Sequence, residues 1–289
     1  MIYKKLIGTG VALITPFNED FSIDYKSFAK LISYNINNGV DYLVINGTTG
    51  ESANISIDER NEIISFVSKI NNNRLPIVLG LGGNNTTKVV DEIKNTKLDD
   101  VSAILSVSPY YSKPTQQGIY EHYKYIASNC SLPILIYNVP GRTSQNVSPK
   151  TILRLADDFD NIVGVKEAAG DLNQYLDLIK RKPDNFLIIS GDDDLAEEVV
   201  QNGGDGVISV IGQAFPRVFS DSIKLALNKK KSINKLNKII SLIFKENNPA
   251  GIKYVLFKKH LCKNILRLPL ISVTDSLKSK INLELDNLK

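Results

Sequence analysis

Eight short apolar segments, each rich in β-branched residues, recur along the first 210 residues of this 289-residue chain. They cover residues 10–14, 42–46, 77–81, 103–107, 134–137, 162–166, 187–190 and 206–210. Longer segments with helical periodicity lie between them, at residues 25–37, 58–71, 86–95, 119–128, 148–157, 172–181 and 195–201. Continuous apolar strands that alternate with amphipathic helices predict a parallel sheet that is covered on both faces.

Eight strand–helix units favour a (β/α)8 TIM barrel. An open, doubly wound sheet is the runner-up, because alternation alone does not distinguish a closed sheet from an open one. Strand signals end near Ile211, and residues 218–228, 232–245, 249–262 and 274–288 have helical patterns. Thr274 or Asp275 is the expected N-cap of the last helix. We therefore predict a catalytic barrel domain over residues 1–228 and a small C-terminal helical extension over residues 229–289.

Composition and charge argue against several classes of function. The chain has 35 Lys and Arg against 31 Asp and Glu, without a basic stripe of interleaved aromatic residues, so nucleic acid is not an expected partner. No apolar run is long enough for a membrane span, and residues 6–17 lack a signal cleavage site, so we expect a cytoplasmic protein. Neither the two cysteines nor the two histidines have metal-type spacing, and we expect no metal or other cofactor.

Lys166 ends the apolar segment 161–166, and a loop that contains glycine follows it. Such a strand is normally buried, and burial disfavours an ammonium group. The amine is therefore expected to be a nucleophile that can form a Schiff base with a carbonyl substrate. The alternative is a core lysine neutralised by a carboxylate. Glu167 is a poor partner for that ion pair, because adjacent strand residues point to opposite faces.

Other polar residues follow the predicted strands at their carboxyl ends, where barrels place their chemistry. Residues 46–51 are Asn-Gly-Thr-Thr-Gly-Glu, residues 108–114 are Ser-Pro-Tyr-Tyr-Ser-Lys-Pro, and residues 137–143 are Tyr-Asn-Val-Pro-Gly-Arg-Thr. The threonines suit a carboxylate or a capped turn, the tyrosine pair suits packing, and Arg142 suits a substrate carboxylate or a structural salt bridge. Together, one amine with phenols, hydroxyls and an arginine points to imine chemistry on an oxo acid.

Three motifs in this order resemble the pyruvate-dependent class I aldolase family, which includes N-acetylneuraminate lyases and dihydrodipicolinate synthases. They are residues 47–51, 137–143 and 165–168, and the likeness extends from about Thr9 to Pro216. Arg142 and the paired tyrosines are most similar to the synthase branch. The resemblance implies condensation of pyruvate with L-aspartate 4-semialdehyde to 4-hydroxy-tetrahydrodipicolinate, in lysine and diaminopimelate biosynthesis. The alternative within the family is an aldolase for N-acetylneuraminate or another 2-oxo acid.

The resemblance also implies the catalytic roles. Lys166 would form the imine with pyruvate. Tyr137 would move protons through Thr49 to Tyr111, which in this family reaches across from a neighbouring subunit. A homodimer is then the minimum competent unit, often paired into a homotetramer.

The implied substrate contacts come from four strand ends. Thr48 and Thr49 would bind the pyruvate carboxylate, with backbone contacts from Gly191 and Ile208 near the imine. Arg142 would hold the carboxylate of the semialdehyde.

In inhibited family members, lysine binds at the dimer interface. The matching region includes Ser52, Ala53, Asn84 and Tyr110. Inhibited members carry a glutamate at the position of Lys88 and often a histidine at that of Arg60. Two cations here repel the ammonium of lysine, so feedback inhibition is expected to be weak or absent.

Two hypotheses of other classes stay open. A barrel that has lost catalysis would bind an oxo acid without a covalent adduct, and the combination of Lys166, Tyr137, Thr49 and Arg142 argues against it. A doubly wound nucleotide-binding protein would carry a GxGxxG motif after its first strand, which this sequence lacks.

Overall fold

The computed structural model describes residues 2–231 and 235–288. Its strands form one closed parallel barrel in sequence order, in which the first strand also pairs with the last. They are β1 (Gly8–Ala12), β2 (Tyr42–Ile45), β3 (Ile77–Gly80), β4 (Ala103–Val107), β5 (Ile134–Asn138), β6 (Ile162–Glu167), β7 (Leu187–Ser190) and β8 (Gly206–Ser209). Closure decides between the two predicted architectures, and the TIM barrel is confirmed.

Helices cover the outside of the barrel. They are α1 (Tyr25–Asn37), α2 (Ile57–Asn71), α3 (Thr86–Asn95), α4 (Gln116–Ala127), the short α5 (Pro140–Thr143), α6 (Pro149–Asp158), α7 (Leu172–Arg181), α8 (Ala196–Gln201) and α9 (Pro216–Leu227). Outward strand residues and helix faces form one large buried cluster, with Phe28 and Phe219 among its members. Inward strand residues form a second cluster that fills the barrel, with Tyr42, Leu105 and Ile208 among its members. This alternation lets one strand serve two cores.

The C-terminal extension contains α10 (Asn237–Phe244), α11 (Ala250–Lys258) and α12 (Asp275–Asn287). The hydroxyl of Thr274 accepts a hydrogen bond from the Leu277 backbone at 3.3 Å, so Thr274 is the N-cap of α12. In the extension, two predicted helix bounds differ from the structure by four residues or more. α11 ends before Cys262, because His260 has a left-handed backbone (φ 58°) that stops the helix.

The helix predicted from Ser232 begins at Asn237 instead, and residues 232–234 lie outside the described residues. Leu236 is its N-cap, and its side chain has no oxygen that could accept a hydrogen bond from the first turn of the helix. The division of the chain at residues 228 and 229 into two domains stays a prediction. None of the helices within residues 2–231 and 235–288 is long and apolar enough to cross a membrane.

A buried ion pair joins the extension to the barrel. Nζ of Lys253, on α11, lies 2.5 Å from Oε1 of Glu51, in the loop after β2, and neither side chain is exposed. The other carboxylate oxygen of Glu51 accepts a hydrogen bond from the Arg267 backbone at 3.1 Å. Two buried charges require such partners. The C-terminal extension therefore holds the loop after β2 in place.

Candidate active site

Lys166 lies at the carboxyl end of β6, with 6% of its surface exposed. Its Nζ is 4.2 Å from the centre of the Tyr137 ring, which belongs to the cluster inside the barrel. None of the ion pairs formed among the described residues includes Lys166. Glu167 faces the other way, since its carboxylate binds Asn138 and Gln174 behind the barrel wall. The alternative interpretation of Lys166, a core lysine neutralised in an ion pair, is therefore not realised.

Tyr137 is placed beside Lys166 by strand pairing. β5 and β6 pair in parallel, with Tyr137 opposite Lys166 in the register. The aromatic face stabilises a cation above it, whether that cation is an ammonium or an iminium. A phenol next to an amine can also exchange protons with groups bonded to that nitrogen.

Negative charge lies close to this amine. Asp193, in the loop after β7, is 2% exposed and interacts electrostatically with Lys166. Burial raises the pKa of Asp193 to about 6, although hydrogen bonds from the Val210 and Ile211 backbones hold its carboxylate. A buried carboxylate that interacts with this amine favours a cationic imine over a neutral one.

The two threonines form a turn of 3-10 helix after β2 (Thr48–Gly50). Thr49 is 3% exposed, and its hydroxyl accepts a hydrogen bond from Nδ2 of Asn248 at 3.0 Å. Thr48 is half-buried and lines the cavity in front of Tyr137. The turn therefore presents two hydroxyls, one of them oriented by the C-terminal extension.

Arg142 lies on the exposed side of α5, and its Nη2 donates to the backbone carbonyl of Asn248 at 3.1 Å. No carboxylate of the described residues forms an ion pair with it. Its guanidinium therefore keeps donors available for an anionic ligand, and the salt-bridge alternative is not realised. Asn248 thus connects Thr49 with Arg142. The sequence reading missed Asn248, which lies 199 residues from Thr49, although its dipeptide with Pro249 signals a turn.

Gly191 and Ile208 complete the surroundings of the amine. A Cβ at Gly191 would lie 3.0 Å from Cε of Lys166 and 2.7 Å from Cβ of Ala168, so a side chain there would displace the lysine. Ile208 is fully buried in the cluster that also contains Tyr137. Gly191 directly follows β7, and Ile208 lies within β8. Their contacts with the imine stay a prediction.

Tyr111 is not brought to this site by its own chain. Its side chain is 90% exposed on a left-handed backbone (φ 70°). The hydrogen bond described for the hydroxyl of Thr49 comes from Asn248, not from Tyr111. The relay from Tyr137 through Thr49 to Tyr111 is therefore not formed within one chain.

Thr48, Tyr137, Arg142 and Asn248 line one cavity of about 470 Å³. This volume is suited to small molecules rather than to a polymer. The same cavity reaches Tyr110, at the base of the exposed loop after β4. The cavity thus extends from Tyr137, whose ring lies against the amine, to Tyr110, while Lys166 itself is not among the residues that line it.

Arg60 also lines this cavity, and it is not the free cation that the sequence predicts. Its Nη1 lies 2.5 Å from Oε2 of Glu92, and its Nη2 donates to Thr96 at 3.2 Å. The Arg60 side chain is 8% exposed, and the carboxylate of Glu92 balances its charge. Lys88 is exposed to solvent. The prediction that lysine is repelled therefore rests on Lys88 alone.

Comparison with known proteins agrees with this geometry. Residues 5–288 match the model of the dihydrodipicolinate synthetase family. A 4-hydroxy-tetrahydrodipicolinate synthase of Flavobacterium psychrophilum is 49% identical over 285 residues, which cover 97% of each protein. The dihydrodipicolinate synthase of Aquifex aeolicus has a similar structure, with a TM-score of 0.93 and 34% identity over 98% of each chain.

A second solved structure, a dihydrodipicolinate synthase of Acinetobacter baumannii in complex with pyruvate, has a TM-score of 0.94. It is 36% identical and covers 97% of this chain and 98% of that one. The likeness thus covers both the barrel and the C-terminal extension. The chain belongs to the dihydrodipicolinate synthetase family.

Proposed function

We propose that this protein is a 4-hydroxy-tetrahydrodipicolinate synthase, a Schiff-base lyase that condenses pyruvate with L-aspartate 4-semialdehyde. The observation that carries the proposal is the buried amine of Lys166, free of any described ion pair and 4.2 Å from the Tyr137 ring. The names of the relatives support the same activity, and the Acinetobacter baumannii neighbour was solved with pyruvate. The product serves lysine and diaminopimelate biosynthesis.

The reaction begins when the amine of Lys166 attacks the C2 carbonyl of pyruvate, and loss of water forms the imine. The cationic nitrogen then accepts electrons, so a methyl proton is lost and an enamine forms. The enamine carbon attacks the aldehyde carbon of the semialdehyde and forms the new C–C bond. The amino group of this second substrate displaces Lys166 by transimination, which closes the six-membered ring and frees the enzyme.

The remaining residues bind and exchange protons. Tyr137 moves protons at the imine, since its ring lies against the amine. Thr48 and Thr49 bind the pyruvate carboxylate through short hydrogen bonds, and the backbones of Gly191 and Ile208 contact the imine. Arg142, at the cavity wall, pairs with the carboxylate of the semialdehyde.

We further propose that Tyr111 acts in the site of a neighbouring subunit, within a homodimer or a homotetramer. A side chain that is 90% exposed, next to a cavity that opens at Tyr110, supports such a contact. Two free, buried cysteines, Cys130 and Cys262, suit a reducing compartment such as the cytoplasm.

The test is turnover of pyruvate with L-aspartate 4-semialdehyde, followed as NADPH loss through a coupling reductase. Pyruvate-saturable turnover is expected, together with a pyruvate adduct on Lys166 after borohydride reduction. An adduct without turnover would keep the aldolase mechanism and exclude this aldehyde. N-acetylneuraminate is then the first alternative to assay for cleavage. No adduct at all would contradict the Schiff-base proposal.

A further inference from the structure

Asn138 and Glu167 form a second pair directly behind Tyr137 and Lys166. In the β5–β6 register, Tyr137 lies opposite Lys166 and Asn138 lies opposite Glu167. Successive strand residues face opposite sides, so the first pair points into the barrel and the second points toward the helices. Both Asn138 and Glu167 are fully buried.

The second pair is hydrogen-bonded across the two strands. Nδ2 of Asn138 lies 2.9 Å from both carboxylate oxygens of Glu167. The Ala169 backbone donates to Oε1 at 2.9 Å, and Gln174 of α7 donates to Oε2 at 2.8 Å. Every partner is an N–H donor, which is the set that an ionised carboxylate accepts. Among the ion pairs of the described residues, none includes Glu167.

Burial of a carboxylate without a basic partner costs desolvation free energy, so this pair is an unfavourable way to join two strands. Burial raises the pKa of Glu167 to about 7, although its hydrogen bonds from Asn138 and Gln174 lower it. Apolar residues of similar volume would join the strands at lower cost. A fully satisfied polar network of this kind instead defines one arrangement of the groups that it connects.

The network connects the strand ends that carry the site. The carbonyl of Asn138's side chain accepts a hydrogen bond from the Val147 backbone at 3.0 Å. The backbone carbonyl of Glu167 accepts one from Gly191 at 2.6 Å and another from the Tyr175 hydroxyl. Gly191 in turn lies against Cε of Lys166. The ends of β5, β6 and β7 are therefore held together from the outer face.

We propose that Asn138 and Glu167 are positioning residues, which set the ends of β5 and β6 so that Tyr137 stays against the amine of Lys166. Neither side chain faces the barrel interior, so neither touches substrate. The inference rests on the proposed function, because it assigns Tyr137 and Lys166 to the chemistry.

Glu167→Gln turns one of the two oxygens that face Nδ2 of Asn138 into a donor, and Asn138→Asp turns Nδ2 itself into an acceptor. Each single variant therefore weakens the cross-strand pair with almost no change of volume. We expect each to lower kcat, and the rate at which borohydride traps the pyruvate adduct, by roughly 10- to 100-fold, since small misplacements of reacting groups are costly. KM for pyruvate should change by less than about threefold, because the binding groups stay in place. Unchanged trapping in a folded Glu167→Gln variant would overturn the proposal.

Asp41→Asn is the matched control at the opposite end of the barrel. Asp41 precedes β2 and accepts a hydrogen bond from the Thr9 backbone at 2.8 Å, and burial raises its pKa too. This change should lower the thermal midpoint and leave the trapping rate unchanged. If all three variants lost rate only in proportion to their lost stability, the role would be structural and the proposal wrong.

The double exchange Glu167→Gln with Asn138→Asp restores an amide–carboxylate pair in the reverse direction. Turning the side-chain amides of Asn146 and Gln174 lets the surrounding hydrogen bonds reverse as well. We expect the double variant to trap pyruvate roughly tenfold faster or more than the slower single variant. A double variant that does not fold, or that recovers no rate, would overturn the proposal. A wild-type protein that forms no adduct would instead contradict the proposed function.

Discussion

At the scale of the residue, the same side-chain type has two different fates in this chain. Lys166 is buried against an aromatic ring without an ion pair, whereas Lys253 is buried against Glu51. We propose the first as the nucleophile, whereas the second neutralises a charge. Burial alone does not distinguish the two lysines. The proposal for Lys166 rests on its place at a strand end and on the absence of an ion pair among the described residues.

Replacing Lys166 by Ala removes the group that is proposed to form the covalent bond with pyruvate. We expect turnover to fall by roughly a thousandfold or more, with no mass gained on borohydride reduction. Intact-protein mass spectrometry after reduction with pyruvate measures this. Lys259→Ala is the control, since Lys259 is also partly buried but lies over Phe215. Turnover that survived in the Lys166 variant would exclude the imine mechanism.

Arg142→Ala should affect the second substrate and spare the first. Loss of a charge-assisted contact predicts a rise in the semialdehyde KM by roughly tenfold or more, with pyruvate trapping unchanged. Steady-state kinetics with each substrate varied in turn measure the two effects. Arg142→Lys should recover part of the loss, because a point charge replaces a planar fork. Unaltered semialdehyde kinetics would show that this arginine has another role.

At the scale of the element, the site is built by strand ends and finished by a distant segment. β5, β6 and β7 deliver Tyr137, Lys166 and Gly191, while the loop before α11 delivers Asn248. The Glu51–Lys253 pair anchors that segment over the turn that carries the threonines. The extension is thus continuous with the active site.

Lys253→Met tests this anchor. It leaves the buried carboxylate of Glu51 without an ion-pair partner and with only the hydrogen bond from the Arg267 backbone. We therefore expect a loss of about 3–5 kcal/mol in the free energy of unfolding. Chemical denaturation followed by circular dichroism measures it. Adding Glu51→Gln to the variant removes the unpaired charge and should recover part of the loss. A Lys253 variant as stable as the wild type would mean that the pair does not hold the extension.

The strands were predictable from sequence because each is a short apolar run, and both faces of a barrel strand are buried. Lys166 was predictable for a related reason, since a cation at the end of such a run is conspicuous. Asn248 and the Arg60–Glu92 pair were not, because each depends on which side chains meet after folding. Hydrophobic periodicity predicts which face of a helix or strand is buried. It does not predict which side chain of another element will contact that face.

At the scale of the whole molecule, a single chain does not form the complete proposed proton relay from Tyr137 through Thr49 to Tyr111. The side chain of Tyr111 is 90% exposed, and its neighbour Tyr110 lines the cavity. A second copy is the partner that the proposed mechanism requires. The oligomer is then part of the catalyst.

Coexpressing K166A and Tyr111→Phe chains tests whether Tyr111 acts across the interface. Random pairing makes half of the dimers mixed, and each mixed dimer has one intact site of two. Activity should therefore reach about a quarter of the wild-type value, which is one half times one half. The separate variants provide the control. A coexpressed sample no more active than its parts would place Tyr111 outside the neighbouring site.

Feedback by lysine is expected to be weak or absent in this protein. Lys88 is exposed at the region that would receive the effector's ammonium, although Arg60 is already neutralised by Glu92. Activity measured against rising lysine tests this, with Lys88→Glu as the variant that should gain inhibition. A sharp loss of wild-type activity at submillimolar lysine would contradict the expectation.

The tie between the extension and the loop after β2 also has a consequence for synthesis of the protein. Thr49 and Glu51 leave the ribosome early, but their partners Asn248 and Lys253 follow 199 and 202 residues later. A nascent chain that ends at Phe244 can therefore contain every barrel strand and still lack an ordered substrate turn. We therefore expect catalysis to begin only after Asn248 and Lys253 have been synthesised and have folded onto this loop.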